Sequence, residues 1–454
     1  VSRGGRRSWL HVPHPLVLLS GCILLAAAGS YVLPAGEYDR RQDEVTGREV
    51  VVAGTYHAVA ATPVNPFRAV VALPRGMEDA GSVIFLVFLV GGAFTVVDET
   101  GTFKRGVGRL IKALHGRDLL IIPVVSVAFA LGGIAENMQE EIIALVPALL
   151  LLTRSLGFAP VVTVSMCLGA AMVGSAFSPI NPFQVEIAQK LAGLPLLSGA
   201  AFRIVFLVLA LALWIAATMR YAAATRGVGR AVATDEEAEP LRSTDLVVLG
   251  MVAATFVLLV LGIMRWGWDF NELSAAFFIM GILAGAVGGL GIGGTTEAYV
   301  KGFRSMAYAA LLIGFARAIY VVMQDGHIVD TIVHGLFTPL EHMPVMASAL
   351  GMVAAQTAIH VPVPSVSGQA VLTMPVLVPL SDLLGLSRQV TVLAYQYGAG
   401  LCEMLTPTNG ALMAILGLAG VRFEEWIRFV IPLYLGLVVL GLISIAVGIG
   451  IGLS

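Results

Sequence analysis

Apolar residues fill this chain in long runs, and short polar breaks separate the runs. Gly157–Val185 and Phe429–Ser454 contain no charged residue, and each is long enough to cross a hydrocarbon core of about 30 Å. The runs predict helices over 15–33, 80–98, 201–218, 245–264, 273–292, 305–322 and 427–453. Two polar stretches interrupt them: a long loop, 34–78, and a charged joint between halves, 220–244, read as partly disordered. Thr102–His115 places Phe103, Val107, Leu110, Ile111 and Leu114 at helical spacing beside four cations, which predicts an amphipathic helix lying at the interface. His327–Leu336 is a shorter stretch of the same kind.

Four segments break the spanning pattern. Leu119–Leu156 has two apolar arms of roughly 15 residues around Gly132–Asn137. At 1.5 Å per residue such arms are too short to span, so a re-entrant hairpin is expected. Phe158–Leu194 reads as one helix broken at Ser178-Pro179-Ile180-Asn181-Pro182. The same pair recurs as hairpin Val345–Leu380, with its tip near Pro362–Gly368, and helix Gln389–Leu418, broken at Thr406-Pro407-Thr408-Asn409. Pro147, Gly157, Val162, Pro179 and Asn181 match Pro375, Gly385, Val390, Pro407 and Asn409 at a constant offset of 228. A second echo, Ala93, Val96, Val97 and Gly101 against Ala318, Val321, Val322 and Gly326, has an offset of 225. The chain therefore divides into 1–78 (first helix and external loop), 79–219 (repeat 1, hairpin 119–156 and broken helix 158–194), linker 220–244, connecting helices 245–303, and 304–454 (repeat 2, hairpin 345–380 and broken helix 389–418). Duplicated halves with Pro/Gly-broken apolar segments point to a secondary transporter.

Composition supports an integral membrane protein: 57% of residues are hydrophobic and 12% charged, about half the usual charged share. Net charge near zero implies no nucleic-acid partner. Cys22, Cys167 and Cys402 lie in apolar context and form neither a disulfide framework nor a metal motif. Arg3, Arg6 and Arg7 precede the first apolar run. With a poor cleavage site after it, this run is expected to be a retained helix rather than a signal peptide. With the N-terminus inside, 17 of the 27 Lys and Arg face the cytoplasm, and five of the rest lie in loop 34–78. This orientation makes the two repeats inverted relative to one another. The predicted fold is thus all-α, with two inverted-topology repeats, each carrying a re-entrant hairpin and a broken helix. A multi-pass protein of the bacterial cytoplasmic membrane is expected.

Helix breaks inside a membrane are tolerated where they line a wet or protein-walled cavity. Half-helix N-termini there favour anions, and freed carbonyls favour cations. Substrate-binding candidates are Ser365, Ser367, Gly368, Gln369, Thr408, Asn409, Asn181, Asn137 and Arg317. Glu136, Asn137, Ser178, Asn181, Thr406 and Asn409 form a candidate set for Na⁺; no other cofactor is implied. Glu136, Glu140, Glu141 and Glu403 are costly in a membrane and are candidates for proton carriage, cation binding or recognition of a substrate amine. For any one Ser, Thr or Asn the plain reading is a helix cap; for Glu140 or Glu141 it is a favourable charge at a helix start. Arg317 reads equally as a structural ion pair. His360 reads as a packed, hydrogen-bonded residue before a proton carrier. No phosphate loop or zinc motif is present, so ATP-driven transport and metallo-hydrolysis are not indicated. A passive channel or an intramembrane hydrolase built on Ser365, Ser367 and His360 fits poorly.

The runs His14-Pro15, Leu33-Pro34-Ala35-Gly36-Glu37-Tyr38, Ser365–Pro379, Arg388–Gly398 and Pro407-Thr408-Asn409-Gly410 resemble the YfcC-like branch of the C4-dicarboxylate anaerobic carrier (DcuC-like) family, within the ion transporter superfamily. The likeness covers nearly the whole chain. It implies inverted repeats, a homodimer and elevator-type alternating access. It also implies a carboxylate-bearing solute: a dicarboxylate, or a basic amino acid in exchange. The chain departs from the family pattern at Ala399-Gly400-Leu401-Cys402-Glu403 and at Ala135–Glu141, both beside the expected site. The sequence reading is a secondary transporter for a small carboxylate-bearing solute, tilted toward amino acids, working by Na⁺ or H⁺ coupling or by exchange. A C4-dicarboxylate carrier is the alternative.

Overall fold

The computed structural model describes residues 15–44, 49–103, 105–106, 109, 118–226, 241–266, 268 and 270–453. Much of the predicted interfacial helix 102–115 and most of the linker 220–244 lie outside the described residues.

Helices account for nearly all of the fold. The first, α1 (Pro15–Val32), leads into the long polar loop. That loop is more ordered than its composition suggests. It folds two antiparallel ribbons, β1 (Gly36–Glu37) with β4 (His57–Ala58) and β2 (Arg40–Gln42) with β3 (Glu49–Val51), then helix α2 (Pro66–Asp79). Asn65 caps α2 by accepting the Arg68 N–H at 2.9 Å, and Pro66 suits a first helical position. Helix α3 (Gly81–Glu99) follows directly.

The first hairpin comprises α4 (Ile121–Glu136) and α5 (Glu140–Ser155). Asn137, left-handed at φ 55°, ends α4 and reverses the chain, a conformation Asn adopts more easily than most residues. The turn thus sits at 137–139, a few residues later than the predicted tip. Together with a short 3₁₀ turn at Asp118–Leu120, the first arm provides 18 apolar residues, Asp118–Ala135. Length alone therefore does not make it too short to cross. The broken helix comprises α6 (Pro160–Ala176) and α7 (182–191), separated at 177–181. At a π turn over Ser165–Gly169 inside α6, the Ser165 carbonyl accepts the Ala170 N–H and also the Trp214 indole N–H, the latter at 2.9 Å. Helix α8 (Ala200–Thr225) extends seven residues past its predicted end, into the linker.

Next come α9 (Ser243–Trp266) and α10 (Phe270–Val287). The predicted helix 273–292 ends early, at Val287, and the predicted helix 305–322 starts early, at Gly291. Residues 291–325 form one continuous helix, α11 (Gly291–Asp325), because no proline interrupts that stretch. After α12 (Val329–Phe337) comes the second hairpin, α13 (Val345–His360) and α14 (Val366–Leu383). The second broken helix follows as α15 (Arg388–Cys402) and α16 (Gly410–Ala419), and α17 (Phe423–Gly450) closes the chain. Seven helices among the described residues are long and apolar enough to cross a membrane, which makes this a multi-pass membrane protein.

Close glycine crossings set the packing of these helices. A Cβ on Gly133 of α4 would lie 2.0 Å from the Ala171 carbonyl, and one on Gly174 of α6 2.3 Å from the Ala130 carbonyl. In the second repeat, a Cβ on Gly398 would lie 2.7 Å from the Val353 carbonyl. Each hairpin's first arm therefore lies backbone to backbone on its own broken helix. Gly76 of α2 meets α11 at Gly314 and Ala318 in the same way. Gly174→Val is expected to cost about 1–3 kcal/mol through overpacking, read as a lower melting temperature of the detergent-purified protein. An unchanged melting temperature refutes this packing.

Candidate functional site

The two helix breaks are built alike but finished differently. In the first, the Ser178 hydroxyl donates to the Ile134 carbonyl at 2.8 Å and accepts the Asn181 N–H at 2.9 Å. The Asn181 side-chain oxygen accepts the N–H groups of Phe183 and Gln184 at 3.0 Å each. Its amide donates to the Gly133 carbonyl at 2.8 Å. Ser175 hydrogen-bonds Asn137. Gln396 then crosses from α15, donating to the Ser178 carbonyl at 2.8 Å, while its own carbonyl accepts from Gln184 at 2.9 Å. Break 1 is thus a buried, internally satisfied joint.

In break 2 the Thr408 hydroxyl donates to the Val361 carbonyl at 2.6 Å. Val361 stands 228 positions from Gly133, so a threonine does here what Asn181 does in break 1. The Asn409 oxygen still caps its helix, accepting the Leu412 N–H at 2.9 Å, but its amide is released to donate to the Gln139 side-chain oxygen at 3.0 Å. Gln139, at the tip of the first hairpin, donates in turn to Glu403 at 2.8 Å. Glu403 stands where break 1 has Ser175, at the same 228 offset. Both Gln139 (4% exposed) and Glu403 (3% exposed) are buried.

Around this contact lies a cavity of about 500 Å³. Its walls include Asn137, Glu140 and Glu141 from the first tip, Ser365 and Ser367 from the second, Glu403, Thr408 and Asn409 from break 2, and Arg317 from α11. These predicted residues converge from four separate stretches of chain. Phe183, Trp268, Phe270 and Tyr320 add aromatic surface. Ser365 caps α14, its hydroxyl accepting the Gly368 N–H at 3.2 Å, so the N-terminus of α14 is directed at the cavity.

Other predicted residues have different places. Ser178, Asn181 and Thr406 are buried and do not line the cavity; Thr406 donates to the Cys402 carbonyl at 2.7 Å. The proposed Na⁺ set is therefore divided between the two breaks, and the side-chain oxygens of Asn181 and Asn409 are engaged as caps. Gln369 lies inside the second hairpin, bonded to His360 Nδ1 at 2.9 Å and to the Gln356 carbonyl at 2.7 Å. Gly368 contributes its backbone to the Ser365 cap. The Glu136 side chain lies outside the described set. With His360 held by Gln369 and Ser365 by Gly368, the described contacts form no serine–histidine pair.

Sequence reasoning passed over Gln139 as a site residue. Its counterpart at the 228 offset is Ser367, so the repeat already carried that signal. It also missed Asp79, which ends α2 and pairs with Arg317 inside the cavity wall. Arg317 additionally stacks over Tyr320, with 4.9 Å from guanidinium to ring centroid. No periodicity or motif marks Asp79, and the fold alone brings it there. Arg203 is a further buried cation, held by the Ser198 carbonyl and the side-chain oxygens of Gln389 and Gln396 at 2.8–3.1 Å. It braces α8 against α15.

Comparison with known proteins gives a consistent family. Residues 12–450 match the model of the DcuC family, described as C4-dicarboxylate anaerobic carrier. An Escherichia coli protein named "Putative basic amino acid antiporter YfcC" is 31% identical, over 97% of this chain and 95% of that protein. An uncharacterized Haemophilus influenzae protein is 28% identical, over 98% of each. Among solved structures, the Alcanivorax borkumensis YdaH transporter aligns over 97% of this chain and 99% of its own at 18% identity and TM-score 0.45. Neisseria gonorrhoeae MtrF aligns over 96% and 95% at 16% identity and TM-score 0.43.

Asn181→Ala removes two cap bonds and the side-chain bond to the Gly133 carbonyl, which keeps the Asn137 N–H, so it is expected to cost about 2 kcal/mol. Thermal melting of the purified protein measures this loss. A melt indistinguishable from wild type refutes a structural role for break 1.

Proposed function

The chain belongs to the C4-dicarboxylate anaerobic carrier family, is a secondary transporter and not an enzyme, and we propose that it exchanges basic amino acids across the bacterial cytoplasmic membrane. The observation that carries this reading is the charge of the cavity. Asp79, Glu140, Glu141 and Glu403 line it, against Arg317 as the cation in its wall among the described residues. Arg317 is paired with Asp79, and carboxyl groups outnumber cations among the described lining residues. A dicarboxylate meets repulsion there, whereas a solute with one carboxylate and two amines complements it. Ser365, Ser367 and Asn409 with the N-terminus of α14 receive the carboxylate, Thr408 being held by the Val361 carbonyl, and the acidic first tip receives the side-chain amine.

The hairpins enter and return on opposite faces, giving inverted repeats, and the protein acts as a homodimer by elevator motion. Two observations support the re-entrant reading. The first tip meets break 2 within the bundle, at Glu403 and Asn409. Carbonyls near both tips, Gly133 and Val361, are also met by break side chains, as irregular backbone at membrane depth requires. Exchange needs no resident ion, in keeping with the capping roles of the residues considered for Na⁺.

The test is thermal stability against L-arginine, L-lysine and L-ornithine and against succinate and fumarate, each with Na⁺ or choline, followed by counterflow in proteoliposomes. A ligand that binds the folded state raises its apparent stability. Basic amino acids are expected to raise the melting temperature with or without Na⁺ and to exchange. A shift with dicarboxylates alone overturns the proposal and moves Arg317 to the centre of a dicarboxylate site. Ser367→Ala and Asn409→Ala are each expected to lower exchange at least about tenfold through lost carboxylate bonds, with folded protein retained. Full exchange in both variants removes these residues from the site.

A further inference from the structure

We infer that the Gln139 side chain is a built-in stand-in for the head group of the substrate: it occupies the subsite for the α-ammonium and α-carboxylate of an amino acid and must leave when the substrate binds. The inference rests on the amino-acid reading above and deepens it.

Three observations carry it. First, the Gln139 amide is oriented by its partners. The Asn409 oxygen is engaged with the Leu412 N–H, so Asn409 presents its amide to Gln139 Oε1, and Gln139 Nε2 is left to donate to Glu403. Orientation by network is the basis on which an amide is assigned. Second, the two groups that Gln139 satisfies are those an amino-acid head group needs. A carboxylamide offers a donor and an acceptor on one carbon. An α-amino acid offers an ammonium and a carboxylate on one carbon, and would place the first on Glu403 and the second on the Asn409 amide. Third, both contacts are made in the wall of the cavity, by a residue on a hairpin turn. Gln139 is therefore carried by a segment distinct from the helix break it satisfies.

The asymmetry of the two breaks explains why this arises on one side. In break 1, Asn181 gives its amide to the Gly133 carbonyl, and a serine stands where Glu403 would be. That break has neither a free amide nor a carboxylate to offer. In break 2, Thr408 serves the corresponding Val361 carbonyl, and both groups become available. The geometry assigns the head-group subsite to Glu403 and Asn409, with Gln139 as its intramolecular competitor. Glu140 and Glu141, next along the same tip, are then placed for the distal amine of the substrate. A closed, self-satisfied site also keeps Glu403 from standing unpaired in a low-dielectric interior when no substrate is present.

The test measures binding of L-lysine and Nα-acetyl-L-lysine by titration calorimetry to the full-length protein in lipid nanodiscs, as wild type, Gln139→Ala, Gln139→Met and Glu403→Gln. Removing an intramolecular competitor that makes two hydrogen bonds, one of them to a buried carboxyl group, is expected to tighten lysine binding about tenfold in Gln139→Ala and Gln139→Met. The methionine keeps the length of the side chain without the amide, so it reports if the alanine variant does not fold. Wild type is expected to bind Nα-acetyl-L-lysine at least about tenfold more weakly than lysine, and Glu403→Gln to erase that preference. Unchanged or weaker lysine binding in both Gln139 variants overturns the inference while leaving the amino-acid reading intact. Retention of the wild-type preference in Glu403→Gln overturns the head-group assignment. Absence of lysine binding by wild type overturns the amino-acid reading itself, and this inference with it.

Discussion

In hydrocarbon, a backbone polar group released from a helix has no water to turn to. Each interruption of a helix in this protein is a solution to that constraint. The carbonyls of Gly133, Ile134 and Val361 are met by side chains from the breaks. The carbonyl of Ser178 is met by Gln396, and that of Ser165 at the π turn by Trp214. Because the partners come from other helices, satisfying the backbone also dictates how the helices stack. The glycine crossings at Gly133, Gly174 and Gly398 follow from the same need, since side chains as short as Ser, Thr and Asn reach a neighbouring carbonyl only across a close approach.

The constraint leaves surplus chemistry in one place. One hydroxyl from Thr408 meets a demand in break 2 that an amide meets in break 1, and the difference releases the Asn409 amide into a cavity that also holds carboxylates. The proposed site grows from a small imbalance between two copies of one structural solution. A carboxylate such as Glu403 would destabilise the fold if left alone; with Gln139 across from it, the empty state is tolerable.

Much of this was legible in the chain. The 228-residue echo located both hairpins and both breaks, because proline, glycine and capping residues must recur wherever the same backbone problem recurs. Ser365, Thr408, Asn409 and Glu403 were identifiable as polar residues in apolar surroundings. What the pattern did not reveal was the division of labour. Asn181 and Asn409 read identically, and only their neighbours in space distinguish a joint from a site. Asp79 was hidden because its role depends on α2 lying against α11 through Gly76, a contact between residues far apart in sequence. The early start of α11 was missed because the glycines at 291–294 look like a loop; the chain does turn at Gly291, with φ 65°, but the helix runs on directly from there.

Helix α11 has a consequence of its own. Thirty-five residues make a rod of about 52 Å, longer than the membrane is thick. Its far end is held by the segment before α3: Arg75 pairs with Asp325, and the Thr62 hydroxyl donates to the Asp325 carbonyl. Midway along it, Ile313 presses on Gly410, at the start of the helix that follows break 2. The rod is packed along most of its length, with buried residues from Thr295 to Met323. One continuous rigid element therefore joins the polar segment at Thr62 and Arg75 to the cavity wall at Ile313 and Arg317, without any chain of polar contacts between them.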